Sequence, residues 1–102
     1  MGQVRYQYVD EDGQRSVKEI HTVVVHRFNM GDVEDPDLYA AQPIYEWQES
    51  EAGKFVLEHA VETPIWQRQI DNVQYGWQYV IIAELEKKKL SEFYLRFDKV
   101  KI

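Results

Sequence analysis

The chain has 102 residues, 44% of them hydrophobic and 14% aromatic, and a formal net charge of −6. That length suits one domain, residues 1–102, able to bury roughly two-thirds of its unfolded surface, and the composition excludes the disordered class. With no cysteine, disulfides, zinc fingers, iron–sulfur clusters and thiol catalysis are excluded together, and a reducing, cytoplasmic setting is expected.

The charge is unevenly spread. Residues 10–62 hold 13 acidic and 4 basic side chains, whereas residues 63–102 hold 5 acidic and 7 basic. This argues against a nucleic-acid partner, which requires a basic patch. The one basic run, Lys87-Lys88-Lys89, reads as a solvated turn. Apolar runs such as Val23-Val24-Val25 and Tyr79–Ala83 are far too short to span a membrane, and no signal-peptide apolar region opens the chain.

Val4, Tyr6 and Tyr8 alternate with Arg5 and Gln7, as in a half-buried strand. Asp10-Glu11-Asp12-Gly13 supplies an Asp-Gly turn, and residues 15–28 resume as a second strand. Its middle, His21 to His26, is apolar on both sides, which predicts a central strand covered on both faces. Asp35, Pro36 and Asp37 mark a helix start, with Asp35 as cap, Pro36 in the first turn and Asp37 complementing the dipole. The helix is expected to run to about Ala52, with Gly53 as its left-handed end and Pro43 kinking it. Leu38, Ala41, Ile44, Tyr45 and Trp47 are expected to face the sheet; Glu46, Glu49 and Glu51 face water.

After Gly53, Phe55, Leu57, His59 and Val61 alternate with Val56, Glu58, Ala60 and Glu62, which predicts a third strand. Residues 63–76 read as an extended segment followed by a loop. A closing hairpin is expected, with Trp77, Tyr79, Ile81, Ala83 and Leu85 on one face, the lysine turn, and Phe93, Leu95 and Phe97 on the return strand. The parity slip at Asp98-Lys99 predicts a bulge or strand end. The fold class is therefore α+β: a mostly antiparallel sheet of four or five strands with one main helix on one face, in the order ββαβββ.

No constellation carries recognisable chemistry, and no cofactor or metal is expected. His21 and His26, five apart on a strand, point to opposite faces and cannot share a metal. His59 lies between Leu57 and Val61 as an isolated histidine; an enzyme or ligand site centred on it is the least favoured function. Taking Asp32 as the first position of a calcium loop puts Asp37 where glycine is required and Pro43 where glutamate is required, so that motif fails. The serines and Gly53-Lys54 match no nucleophile or phosphate-binding motif.

What remains is a surplus of rings. Three Trp, seven Tyr and four Phe exceed what one small core needs, and Tyr and Trp are favoured at protein interfaces. The candidate partner-binding residues are Asp32, Glu34, Asp37, Tyr39, Tyr45, Trp66 and Trp77, for a protein partner or for self-association as a homodimer.

The segments Met30–Ala41, Trp47–Lys54 and Glu58–Glu62, together with Tyr75-Gly76 before the Tyr79–Ala83 strand, resemble small uncharacterised proteins encoded by tailed bacteriophages of cyanobacteria. The likeness covers roughly residues 20–97. It implies a viral gene product working in a bacterial cytoplasm or packed in a virion, and it carries no catalytic residues. The expected function is a non-enzymatic protein-binding module acting on a host or phage complex. The alternative is a minor virion or homo-oligomeric component.

Overall fold

The computed structural model describes residues 3–71, 73 and 76–97. It is α+β, with four antiparallel strands in the spatial order β1-β2-β4-β3 and three helices. The strands are β1 (Gln3–Glu11), β2 (Gln14–Gly31), β3 (Ile65–Ile70) and β4 (Trp77–Glu86). The helices are α1 (Pro36–Glu49), α2 (Glu51–His59) and α3 (Lys87–Phe97).

The first hairpin forms, but β1 is not half-buried as the alternation predicts: Val4, Tyr6 and Tyr8 are exposed, because no helix reaches over them. Asp12 and Gly13 take φ values of 51° and 77°, the left-handed pair of a two-residue turn whose twist matches its strands. Glu11 then pairs with Gln14, and the register runs unbroken to Gln3 opposite Thr22. Position 13 suits glycine because a side chain strains at that φ.

β2 is central, as expected, between β1 and β4. It is not covered on both sides. Val24 is exposed and Val23, Val25 and His26 are only half-buried, because every helix packs against the same sheet face. A register shift between Val24 and His26 leaves Val25 without a β4 partner, a bulge that reverses the parity of the residues after it. His21 pairs with Leu85 and His26 with Ile81, so the two histidines share the helix-covered face rather than opposing ones. Their β4 partners are four residues apart, about 14 Å along a strand, so they still do not share a metal.

The helices depart most from the alternation. Residues 55–59 belong to α2, not to a third strand, and 87–97 form α3 instead of a lysine turn with a return strand. The observed order is ββααββα, with three helices in place of one. Ala52, Phe55, Val56 and His59 share a helical face, as do Leu90, Phe93 and Phe97. Phe55, Val56, Leu90 and Phe93 join Trp47, Ile81, Ala83 and Leu85 in the main core cluster. Lys89 and Arg96 both pair with Glu92 along α3, the three- and four-residue spacings that support a helix.

The break between α1 and α2 falls at Ser50, before the predicted end at Ala52. Ser50 Oγ donates to the Trp47 carbonyl at 2.5 Å and accepts from the Gly53 N–H at 3.1 Å. One residue thus ends α1 and caps α2. Gly53 is not a helix end but lies within α2, buried against the Trp47 backbone. α1 remains one helix through Pro43. Asp35 precedes it in a left-handed conformation with no side-chain cap bond; its carbonyl accepts from the Leu38 N–H instead. The extended reading of 63–76 is met in β3, and the expected bulge at Asp98-Lys99 lies outside the described residues.

The molecule is elongated, 54 × 32 × 26 Å with a Cα radius of gyration of 15.9 Å, against about 13 Å for a compact chain of this length. β1 and residues 14–17 of β2 are exposed except for half-buried Val9, so the hairpin projects as an arm beyond the helix layer. On the helix-free face Arg5 binds Glu84 through two bonds of 2.9 and 3.2 Å. The Arg5 hydrogen bond holds the Glu84 carboxyl below its ordinary 4.5. That contribution is present above about pH 4.5 and is lost as pH falls through the folded-state value.

A second pH dependence comes from His26, which stacks on Trp47 with ring centroids 5.9 Å apart. Partial burial pushes the imidazole below its ordinary 6.5. The unfolded chain then binds the proton more readily, so stability present above about pH 6.5 declines as pH falls through that value toward the folded-state one. Thermal melts between about pH 7.5 and 5 should show the midpoint falling, and His26→Gln should flatten that slope. An unchanged slope in the variant assigns the effect to another group.

Candidate binding surface

Two of the predicted site residues, Asp37 and Trp66, meet at Tyr79, the largest fully buried side chain, and a third, Trp77, reaches it through Arg68. The Tyr79 hydroxyl donates to Asp37 Oδ1 in the first turn of α1, and Arg68 Nη1 of β3 donates to the same oxygen at 3.2 Å. The Arg68 guanidinium lies 4.4 Å from the centroid of the Trp77 ring, a cation–π contact. Trp66 packs against Tyr79 with ring centroids 5.5 Å apart, and Phe28 stacks on it at 5.3 Å. Burial, then the bond to Asp37, pushes the Tyr79 phenol above its ordinary 10, so the neutral donor form is secured. Asp37 and Trp77 therefore have internal partners, and together with Arg68 they fasten α1 to the β3–β4 end of the sheet.

The other predicted residues face outward. Tyr39 and Tyr45 lie on the outer side of α1, 58% and 60% exposed. Asp32 and Glu34 are exposed in the loop before it. Leu38, expected to face the sheet, is 70% exposed; the residues α1 buries are Pro36, Ala40 and Trp47. Small residues at 36 and 40 let the helix approach closely, and that rotates Leu38, Ala41 and Tyr45 to the outside.

α1 runs along β3. Asp37 meets Arg68 at one end, and Ile44, Trp47 and Gln48 line a narrow cleft with Pro64, Ile65 and Trp66 at the other. β3 is an edge strand exposed at all six residues. By register Trp66 and Ile70 lie on the sheet face of Tyr79 and Ile81, whereas Ile65 pairs with Ile82 on the opposite face; Trp66 and Ile70 are exposed, as are Leu38, Tyr39 and Tyr45 of α1. Ile70 was missed by sequence reasoning, because alternation marks a strand's faces without saying which is left uncovered, and Leu38 because it was assigned to the buried side of α1. Asp32, Glu34, Asp35, Glu46 and Glu49 surround α1 on its exposed side, giving the surface an acidic rim.

His59 sits at the end of α2, not on a strand. Its ring is 4.6 Å from the Phe55 ring centroid, and its nearest carboxylate is Glu58 at 3.9 Å. No group of three or more His, Asp or Glu side chains able to hold a metal occurs among the described residues. No described helix is long and apolar enough to cross a membrane. No protein-family model matches the chain, and no curated protein and no solved structure matches it.

Proposed function

We propose that this protein is a binding module without chemistry of its own, a product of a cyanobacterial tailed phage that engages a protein of a host or phage complex. The observation that carries the reading is the outward rotation of α1. It presents Leu38 and Tyr45 to solvent, with Trp66 and Ile70 exposed on the edge strand that α1 meets through Asp37 and Ile44, and Tyr39 exposed on another side of the helix. Large rings around an apolar centre are the composition of an interface core. The acidic rim selects a partner whose own rim is basic, with charge setting encounter and the apolar centre setting lifetime.

The test compares the wild-type chain with Leu38→Ala/Tyr45→Ala, both immobilised and exposed to host lysate. Both side chains are exposed, so the variant's melting point should stay close to wild type. A partner held through this surface should be lost from the variant, with affinity reduced about tenfold or more. It should also survive salt that screens exposed charges. Recovery of the same proteins by both chains, or of none by either, overturns the reading.

A further inference from the structure

We propose that β1 pairs antiparallel with the β1 of a second copy of this chain, joining two four-stranded sheets into one of eight strands. This surface is the arm, remote in sequence from the α1–β3 surface, and the inference stands independently of the reading above.

β1 is an edge strand, and edge strands are normally blunted by lysine, proline, bulges or brevity. β1 has charges, Arg5, Asp10 and Glu11, but its central Tyr6–Val9 stretch carries none of these devices. Its nine residues contain no lysine and no proline, and its pairing with β2 runs from Gln3 to Glu11 without a register shift. The opposite edge, β3, has only six residues and follows directly on Pro64. On β2, the half beyond Thr22 is interrupted by two register shifts.

The side chains agree with the backbone. The register places Val4, Tyr6, Tyr8 and Val17 on one face of the arm. They are 47%, 64%, 71% and 54% exposed, an apolar row on the arm, with Glu19 and His21 opposite Tyr6 and Val4 on the same face. Glu11 and Gln14 close a two-residue turn and so form a hydrogen-bonded pair. By alternation, the N–H and C=O groups of Tyr6 and Tyr8 point away from β2, outward from the sheet.

Charge selects the direction and the partner. Arg5 lies toward one end of β1, and Asp10, Glu11 and Asp12 crowd the other. Parallel pairing would set the acidic ends side by side. A twofold antiparallel pairing about Gln7 separates them and sets Tyr6 opposite the partner's Tyr8, while Arg5 stays on Glu84 of its own chain. The patch is self-complementary, which a twofold contact requires.

The area sets the strength. At these exposures the two tyrosines offer about 270 Å² per protomer. A nine-residue edge about 30 Å long, with each Tyr6 packing only partly against the partner's Tyr8, makes an interface below the standard size. The dimer should therefore dissociate on dilution.

Sedimentation of the wild-type chain across a concentration series tests this. The mass should move from 12.2 kDa toward twice that value. Tyr6→Lys/Tyr8→Lys should remain at the monomer mass throughout. Tyr8→Pro, which removes an outward N–H and spares the bonds to β2, should do the same. Hydrogen exchange on the unmodified chain gives a readout that needs no variant. The amides of Tyr6 and Tyr8 should slow as concentration rises, while those of Gln7 and Val9 stay constant. A monomer at every concentration overturns the proposal. So does a dimer that persists in the lysine variant, or one that leaves the Tyr6 and Tyr8 amides unprotected.

Discussion

Phe93→Ala should lower the free energy of folding by about 3–5 kcal/mol, whereas Leu95→Ala, two residues on, should change it by less than about 0.5 kcal/mol. Phe93 is 5% exposed and its ring meets those of Phe55, Tyr94 and Phe97 at 5.5–6.2 Å. Removing it leaves a cavity between α2 and α3 that the cluster cannot fill by collapse. Leu95 is 85% exposed. On a strand the two would share a face and cost alike; on a helix they lie about 200° apart around the axis. Urea unfolding of the two variants decides the matter, and equal losses would restore the strand.

Gly53→Ala should destabilise by about 3 kcal/mol or more. In an open helix the same change stabilises by about 1 kcal/mol, because glycine has the greater backbone freedom to lose. Here the added methyl would overlap the carbonyl oxygen of Trp47 and come within 3.0 Å of Gln48 Cα. These are backbone atoms, so α1 must move relative to α2, and Trp47 with it. Ser50→Ala, which removes the bonds to Trp47 and Gly53 but adds no atoms, should cost only about 1 kcal/mol. Thermal melts of the two variants should therefore rank Gly53→Ala well below Ser50→Ala. The opposite order would mean that the Ser50 hydrogen bonds, not the close approach of Gly53, hold the junction.

Much of the sheet was legible because its signals are local. The Asp12-Gly13 turn, the alternation of Val4, Tyr6 and Tyr8, and the Trp77–Leu85 face each follow from a few neighbouring residues. The start of α1 at Pro36 was equally plain. Residues 55–59 and 90–97 were not, because their apolar positions satisfy both periods. Phe55, Leu57 and His59 alternate, yet Ala52, Phe55, Val56 and His59 also form a helical stripe. The spacing of Lys89, Glu92 and Arg96 was a usable helix signal in the second case.

The site was legible in part. Tyr39 faces solvent and Trp66 is 46% exposed, whereas Tyr45, expected to face the sheet, lies outside. That Asp37 holds Tyr79 and Arg68 depends on chain segments 31 and 42 residues away, which no local pattern records. The position of Leu38 depended on which side of α1 could approach the sheet.

By itself, then, the sequence determined a small acidic α+β chain without cysteine chemistry, its first hairpin, its central strand and the start of its first helix. Tertiary structure decided the state of residues 51–59 and 87–97. The β4 face of Ile81, Ala83 and Leu85 needed cover, and helices presenting Phe55, Val56, Leu90 and Phe93 bury it while leaving Leu57 and Leu95 outside. Tertiary structure also decided the bulge at Val25, which turns His26 onto Trp47, and the uncovered length of β1. A strand whose register is set by its turn can outreach the helices that cover its neighbours, and that is how Tyr6 and Tyr8 come to lie on the surface.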